Sequence, residues 1–494
     1  MKSLTINFQE GDLPSLHPHD LLIYLRGIAA TKLLFECLTR IDENGKVRLS
    51  GAEAVDVSQD RLRYIFTLRA NRWSNGEPVT ASHYEKAWKA ALSPVSLCSR
   101  ADLLYVVKNG EKARKGAVSL DSVGVKAVDE KTLVVDLEYP SGFFLDLVSQ
   151  PICAPLLDLT EKNPSSFNGP FCLAIWKRNS SIKLKKNSFF WNQSRVSLDQ
   201  IEILTMADPS TVFDAYQSDQ VHWVGLPFSP LTTEQIRLLQ KEKQLLSRSV
   251  DRSFFIHLNV THPLLSSQLV RQALSMALDR GAITKSILVG GEPLHKTLAN
   301  ALLPVKMKSS SLLKEDTREA KLLFQQGLLE LGVSKNALPP LTLAYSPQSN
   351  RKQFAEYLKE TWKKVLDLDV RLEQQEWNTL RTNFVNGQFD MAGAFEASYY
   401  HDPMEILDRY GILNPGNFSQ WKHPDYRQLL SFARREPDTE TRFEVLGKAE
   451  EILLKEMPFI PVCTDRFLFA HRPDLKGYAF DSLGAVDLSY ASIK

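Results

Sequence analysis

The segment EASYYHDP, residues 396–403, concentrates side chains that could do chemistry. Glu396, His401 and Asp402 are of the types that bind metals or transfer protons, and Tyr399 is an aromatic ring that could cover a ligand. Three interpretations are open: a metal-dependent hydrolase, a ligand-recognition strand, or an aromatic core segment that runs into a helix start. The hydrolase is the weakest, because its ligands fall on one short stretch and the sequence identifies no supporting partner.

Motifs of common catalytic and metal sites are missing elsewhere. The sequence contains no HExxH, no glycine-rich phosphate loop and no nucleophile elbow, and His17 with His19 makes only an incomplete metal site. The cysteines are scattered without the spacing of a zinc site, so we expect buried, small apolar side chains: Cys37, Cys98, Cys153, Cys172 and Cys463. We therefore expect no enzymatic activity, no cofactor and no bound metal.

The elements that position such residues follow from hydrophobic periodicity. Alternation predicts a strand over 64–68 and a hairpin over 125–137, and apolar spacing predicts a helix with Tyr84 and Trp88 on one face. In the second half, helices are predicted over 270–280, 317–332 and 441–457, and strands over 341–346, 369–377 and 389–395. This alternation of strand and helix indicates an α/β lobe with at least partly parallel strands.

Length and charge narrow the class of protein. A chain of 494 residues exceeds what one hydrophobic core usually supports, so two or three lobes are expected. With 60 basic and 58 acidic side chains, the net charge of +2 gives no field that would attract nucleic acid or anionic lipid. No window approaches the roughly 18 consecutive apolar residues of a spanning helix, and the start lacks the apolar core of a secretory signal.

Blocks of sequence resemble a known family. Residues 64–81, YIFTLRANRWSNGEPVTA, are very similar to the signature of the family 5 solute-binding proteins, the oligopeptide- and dipeptide-binding receptors of bacterial ABC importers. Seven further blocks, two before this signature and five after it, occur in family order: SLHP (15–18), LLFECLTRID (33–42), VGVKAVDEKTLVVDLEYP (123–140), NGPF (168–171), LKKNSFFWN (184–192), VRQALSMALDR (270–280) and MPFIPV (457–462). Together they cover essentially the whole chain.

The resemblance implies an α/β fold with two lobes, of the periplasmic-binding-protein type, class II and cluster C. Such a fold has three domains and a hinged ligand cleft. Lobe I would be discontinuous, formed by residues 1–46, 168–251 and 470–494. A small domain II, residues 47–167, would be inserted in it, and residues 252–469 would form lobe III.

The resemblance also implies the function, that of a receptor that captures oligopeptides between its lobes and delivers them to a membrane permease. The protein would be a monomer, periplasmic or lipid-anchored, with a peptide ligand and an ABC permease as partners. An alternative keeps the fold but changes the cargo to a cell-wall peptide, a metal chelate, a sugar or haem. The implied ligand contacts are Glu36, Cys37, Tyr105, Phe255, His257, Arg351, Trp377, Glu396, Ala397, Tyr399 and Asp402.

The groups that would hold the two charged ends of a peptide depart from the family pattern. Many relatives hold the peptide ammonium with an Asp, but the aligned residue here is Tyr399, so Glu396 or Asp402 would have to substitute, or the preferred end of the ligand differs. Some relatives carry an Arg six residues earlier, where this chain has Gly393. Arg351, near another basic position of the family, becomes the candidate contact for the carboxylate.

Overall fold

The computed structural model describes residues 2–9, 11–21, 25–288, 292–293, 313–347, 350–400, 402–411, 417–436 and 438–493. The chain forms two compact units. Unit 1 comprises Met1–Arg248 and Phe467–Lys494, and unit 2 comprises Ser249–Arg466. The predicted division into three domains stays a prediction.

Strands and helices alternate along most of the chain. The strands are β1 Ser3–Asn7, β2 Thr39–Ile41, β3 Val47–Leu49, β4 Ala52–Val57, β5 Arg63–Leu68, β6 Val125–Ala127, β7 Thr132–Asp136, β8 Phe171–Lys177, β9 Ser181–Lys186, β10 Gln200–Leu204, β11 Trp223–Gly225, β12 Leu246–Leu258, β13 Glu292–Pro293, β14 Thr342–Tyr345, β15 Arg371–Gln374, β16 Met391–Ala397, β17 Phe459–His471, β18 Leu475–Lys476, β19 Ala479–Phe480, β20 Val486–Asp487 and β21 Ser492–Ile493. The helices are α1 Leu25–Leu34, α2 Ala81–Ala91, α3 Gly110–Arg114, α4 Phe144–Leu147, α5 Pro209–Gln217, α6 Thr233–Lys241, α7 Gln268–Met276, α8 Arg280–Ser286, α9 Thr317–Leu331, α10 Arg351–Leu366, α11 Trp377–Asn386, α12 Met404–Leu407, α13 Pro424–Arg435 and α14 Thr439–Glu456.

Unit 1 contains two four-stranded sheets. One has the order β1-β10-β9-β8, with β1 and β10 parallel and the other pairs antiparallel. The other, β4-β5-β7-β6, is antiparallel throughout and includes the predicted hairpin, β6 and β7. Helix α2 buries Tyr84, Ala87 and Trp88, as its spacing predicted. This agreement confirms the sequence reading of these elements.

Unit 2 is built on a mixed sheet with the order β17-β12-β16-β14-β15. Strands β12 and β16 are antiparallel, whereas β14 is parallel to both β16 and β15. The predicted strands and helices of this half are all present, and their bounds differ from the predictions by a few residues. Helix α9 ends where Gly332 adopts a φ of +64°, a conformation that closes many helices.

The central strand β12 of the unit 2 sheet is buried on both faces. Phe254, Ile256 and Leu258 of β12 pack into a core with α7, α9 and α10. Phe255, the neighbour on the opposite face, packs with side chains of α13 and α14. A strand covered on both sides becomes apolar at consecutive positions, which explains the run FFIHL in β12.

Two smaller findings concern the cysteines and the membrane. All five cysteines are buried free thiols, as their scattered spacing led us to expect. Among the described residues, no helix combines the length and the apolarity that crossing a membrane requires.

Gly225 provides a test of the close packing in unit 1. A Cβ at this position would lie 2.3 Å from the Leu468 carbonyl oxygen and 2.4 Å from Phe469 Cα, and its φ is +93°. Gly11 has the same backbone conformation, φ +92°, with nothing within 4 Å. Replacing either glycine by Ala should lower the free energy of unfolding by about 1–2 kcal/mol, because Ala is strained in this backbone conformation.

In Gly225→Ala the free energy of unfolding should fall by roughly a further 1–3 kcal/mol, because the added Cβ would clash with main-chain atoms that can shift only with the strand itself. The measurement is the thermal unfolding midpoint of both variants and of the unchanged protein. Equal losses in the two variants would contradict the contacts described around Gly225.

Candidate ligand-binding site

Strand β16 has one paired edge and one that is largely open. Its residues from Met391 to Ala397 all pair with β12, but only Met391 and Ala392 pair with β14 on the other side. Within the described ranges, Gly393–Ala397 therefore has a strand neighbour on one side only. An open stretch of this kind offers main-chain groups to another extended chain.

The direction of the main-chain groups along β16 follows from two hydrogen bonds. The Ser398 amide donates to the Asp251 carbonyl, and the Asn259 amide donates to the Asp390 carbonyl, each over 2.8 Å. Successive residues of a strand direct their main-chain groups to opposite sides, so the even-numbered residues face β12. The main-chain groups of Phe395 and Ala397 consequently face the open edge.

Arg409 donates a hydrogen bond to one of these main-chain groups and also binds two carboxylates. Its Nη2 donates to the Ala397 carbonyl over 2.5 Å and to both oxygens of Glu405 over 2.6 Å. Its Nη1 donates to Glu396. Burial by itself would raise the pKa of Glu396, but the guanidinium of Arg409 and the His257 ring hold that pKa below its usual range.

The two other acids that follow β16 are also paired with arginines. Asp402 accepts two hydrogen bonds from Arg442, over 2.7 and 2.8 Å, and caps the start of α12 by accepting from the Met404 amide. Asp408 is paired with Arg434. Both carboxylates are therefore engaged in ion pairs with arginines of unit 2.

Arg351 lies at the start of α10 and contacts two aromatic rings. Its Cζ is 4.6 Å from the ring centres of both Phe254 and Phe395. Within the part of the chain that the structure describes, its buried Nη1 has no hydrogen-bond partner. Burial, together with the neighbouring Arg252, lowers the pKa of this guanidinium to about 10, so it remains charged at neutral pH.

Gly393 stands in β16 at a place where a larger residue would meet a neighbouring ring. A Cβ there would lie only 2.8 Å from Cζ of Phe254. The Phe254 ring therefore fills the space that a longer side chain at 393 would need. A guanidinium nevertheless lies beside this ring, because Arg351 supplies it from α10.

A model of the bacterial extracellular solute-binding proteins, family 5 Middle, matches residues 46–417. The chain belongs to this family. Family 5 is a family of solute-binding receptors, and the predicted resemblance and mixed α/β fold are confirmed.

Relatives of this family 5 protein cover nearly its whole length. The oligopeptide-binding protein OppA of Bacillus subtilis (strain 168) is 32% identical over 479 residues, covering 93% of this chain and 87% of that protein. The dipeptide-binding protein DppE of the same organism is 31% identical over 480 residues, covering 93% and 86%. The crystal structure of Haemophilus influenzae OppA in complex with RPPGFSPFR matches the fold with a TM-score of 0.86 at 24% identity, covering 100% and 99%.

Two of the predicted ligand contacts, Glu36 and Cys37, lie in unit 1. Most of their polar groups already form hydrogen bonds or ion pairs with other residues of the protein. The Glu36 side chain is fully buried, paired with Arg40 and bonded to Ser50. Its amide and its carbonyl are both bonded to the side chain of Asn168, over 3.0 and 3.1 Å. The Cys37 carbonyl accepts from the Gly51 amide, and burial raises the pKa of the Cys37 thiol to about 12.

Tyr105, the third predicted contact of unit 1, lies in the turn Ala101–Val106 and is half-buried. Burial, followed by the charge of Asp102, raises the pKa of its phenol. Its role in ligand binding stays a prediction.

The predicted aromatic contacts in unit 2 are placed in different surroundings. Phe255 is fully buried 4.6 Å from the Phe459 ring, which favours the core interpretation that the sequence left open. Trp377 is partly buried at the start of α11 and packs on a small apolar cluster with Phe384. Tyr399, just beyond β16, is 8% exposed.

His257 is fully buried among rings. The Phe384 and Phe418 rings each lie 5.3 Å from its own ring. Its Nε2 is 3.3 Å from Glu396 Oε1, but in the described part of the chain neither ring nitrogen has a hydrogen-bond partner of suitable geometry. This placement makes His257 a neighbour of the Glu396 carboxylate.

The hydrolase interpretation gains no support from the site. His401, one of its three residues, lies outside the described residues. The described residues contain no group of three or more His, Cys, Asp or Glu side chains that could hold a metal ion. Glu396 and Asp402 are instead paired with arginines.

Sequence reasoning missed Arg409, Arg434 and Arg442, the arginines that pair with the acids of this site. Glu405 and Arg409 stand four residues apart, the spacing that brings side chains together on a helix, and this signal could have indicated their pair. No local signal connects Asp402 with Arg442, which is forty residues distant in sequence. Such pairs depend on how α12 and α14 pack.

Removing Arg409 tests the buried charge cluster. Arg409→Met leaves Glu396 and Glu405 buried without their counter-charge, so unfolding free energy at neutral pH should fall by about 3–5 kcal/mol. The matched control is Arg434→Met, which breaks a more exposed pair and should cost about 1 kcal/mol or less. Urea unfolding of both variants measures the difference.

The pH dependence of this loss has a definite sign. In the unchanged protein the pKa of Glu396 is depressed, so its stabilising contribution is present above the ordinary glutamate pKa of about 4.3 and is lost as the pH falls through the lower folded value. Without Arg409, burial raises the pKa of Glu396, so this acid takes up a proton at a higher pH. The deficit of Arg409→Met should therefore shrink as the pH is lowered toward about 4.3, and a constant deficit would contradict the assignment.

Proposed function

We propose that this protein is the substrate-binding receptor of an ABC importer, that it captures oligopeptides, and that it delivers them to a membrane permease. Membership in a family of solute-binding receptors supports a binding role without chemistry of its own. The names of the two Bacillus subtilis relatives, which bind oligopeptides and dipeptides, support peptides as the cargo. A receptor of this kind acts outside the cytoplasmic membrane, where its permease is accessible, and we propose that it works as a monomer.

The observation that carries this proposal is the open edge of β16. An extended peptide can add to such an edge as a further strand, and its main chain then forms hydrogen bonds that every sequence can make. Phe395 and the amide of Ala397 supply the protein side of these bonds. Recognition through main-chain groups is the chemistry that a receptor for many different peptides needs.

Among the predicted contacts, we propose roles of two kinds. Ala397 and Arg351 contact the ligand, the former through its main chain and the latter through its guanidinium. The side chains of Glu36, Phe255, Glu396 and Asp402 support the protein instead, because each is buried and held by neighbouring protein groups.

Main-chain recognition can be tested from the ligand side. The protein is unfolded in urea and refolded to release bound material, then mixed with a random heptapeptide library, and the captured peptides are identified by native mass spectrometry. The strongest peptide is resynthesised with N-methyl groups on alternate amides, in both registers. One register removes the bonds to the edge and should weaken binding about tenfold or more, since each main-chain hydrogen bond contributes about 0.5–1.5 kcal/mol.

The other register directs its methyl groups away from β16 and should leave the affinity within about threefold. On the protein side, Ala397→Pro removes the donor at the open edge, where proline is tolerated, and Ala397→Val keeps it. We expect weaker binding only with proline. Capture of no peptide, or equal effects of the two registers, would refute the proposed mode.

A further inference from the structure

The turn that follows α2, residues 93–99, projects apolar side chains into solvent. Leu97 and Val95 are 92% and 87% exposed, the two highest values among the large apolar residues that the structure describes. Pro94 beside them is also exposed. Single exposed apolar residues are common on protein surfaces, but three within four positions form a local patch. We call Pro94, Val95 and Leu97 the apolar tip.

Hydrogen bonds fix the turn that carries the apolar tip. The Ser96 amide donates to the Ser93 carbonyl over 3.0 Å, and the Cys98 amide donates to the Ser96 hydroxyl over 3.2 Å. Cys98 itself is buried and anchors the end of the turn in the protein. Val95 and Leu97 therefore project from a defined turn between α2 and a buried residue.

A basic segment packs against this turn. Arg114, the last residue of α3, donates from Nη1 to the Ser93 carbonyl. The turn after α3 is equally near, since a Cβ built on Gly116 would lie 3.7 Å from Pro94 Cγ. The apolar tip and the residues around Arg114 consequently belong to one surface region of unit 1.

The charge of this region is positive. Residues 93–117 contain five basic and two acidic side chains, a surplus of three positive charges, whereas the whole chain has a net charge of +2. Lys112 and Lys115 are both exposed. Lys115 pairs with Glu111 over 2.6 Å, but water screens this pair because both side chains are about half exposed. The positive surplus is thus local, although the chain as a whole has no field that would attract an anionic surface.

An anionic lipid bilayer matches both properties of this region. Apolar side chains are stabilised when they enter the boundary between headgroups and acyl chains, and Lys and Arg side chains beside them attract anionic headgroups. A specific protein interface usually takes about 20–30 residues from each partner, far more than a tip of three. A projecting tip with cations at its base therefore fits a lipid surface better than a protein surface.

We propose that the apolar tip inserts into the surface of an anionic lipid bilayer, with Lys112 and Lys115 at the level of the headgroups. A few apolar side chains and a small positive charge give weak, reversible binding, so the protein can leave the membrane again. The inference goes beyond peptide capture and stands independently of it, because binding to vesicles needs no peptide. For the receptor proposed above, such binding would raise its concentration near the permease.

The test measures binding of the full chain to lipid vesicles by co-sedimentation. One set of vesicles contains phosphatidylcholine alone, and the other contains equal amounts of phosphatidylcholine and the anionic phosphatidylglycerol. At low ionic strength the unchanged protein should bind the anionic vesicles about tenfold or more tightly than the neutral ones, because each Lys near an anionic surface adds to the attraction. Raising the salt concentration should weaken this binding, since salt screens the charges.

A pair of double variants tests the apolar component. Val95→Ser with Leu97→Ser removes most of the apolar tip and should weaken binding to the anionic vesicles about tenfold or more. The matched control, Val128→Ser with Leu329→Ser, replaces the same residue types where they are 61% and 81% exposed, and its vesicle affinity should stay within about threefold. Circular dichroism and the thermal midpoint establish that both variants are folded.

A second pair of double variants tests the basic component. Lys112→Gln with Lys115→Gln should weaken binding to the anionic vesicles about tenfold and reduce its salt dependence. Lys241→Gln with Lys321→Gln removes the same charge from two other exposed positions and should retain both properties. The affinity of all four variants for a captured peptide should equal that of the unchanged protein.

The vesicle and peptide measurements fail separately. Equal vesicle affinities of the tip variant and its control would overturn the insertion of the apolar tip. If the unchanged protein did not bind the anionic vesicles, the inference would also be overturned, and a protein partner would remain as the occupant of the tip. Neither result would bear on peptide capture, and a failure to capture peptides would refute the proposed function without affecting the vesicle measurements.

Discussion

The constraint on which the site depends is that main-chain polar groups of a buried strand must be paired. β16 meets this requirement toward β12 along its whole length, but toward β14 only at Met391 and Ala392. Arg409 satisfies the Ala397 carbonyl, and within the described part of the chain the other outward groups of this stretch have no strand partner. We propose that an extended ligand pairs with them. The ligand would thus complete a sheet that the protein leaves unfinished.

Arginines distribute charge around this edge unevenly. Beyond the end of β16, Arg409, Arg434 and Arg442 neutralise the acids that might otherwise receive an amine. At Phe395, the guanidinium groups of Arg252 and Arg351 lie beside the ring, and Arg252 pairs with Asp465. Because burial makes an unpaired charge costly, such local pairs matter more to the structure of this edge than the net charge of +2 for the whole chain.

Most of the fold was predictable because secondary structure leaves periodic traces. The strand β5, the hairpin of β6 and β7, and the helices α2, α7, α9 and α14 were anticipated from apolar spacing, and the ordered blocks indicated the family. The site was only partly predictable. The sequence indicated Glu396 and Asp402 as candidate anchors, but it did not indicate that arginines from α14 and from the turn after α12 already bind them.

The sequence by itself determined the family, the alternation of strands and helices, and the absence of an acid at position 399. The tertiary structure decided which main-chain groups stay open, because that depends on where the short β14 stops alongside β16. It also decided that Arg351 lies beside Phe254 and Phe395, at a place where Gly393 leaves room for a ring but not for a side chain of its own. Periodicity is local, whereas register and ion pairing join residues that are distant in the chain, so only packing could establish them.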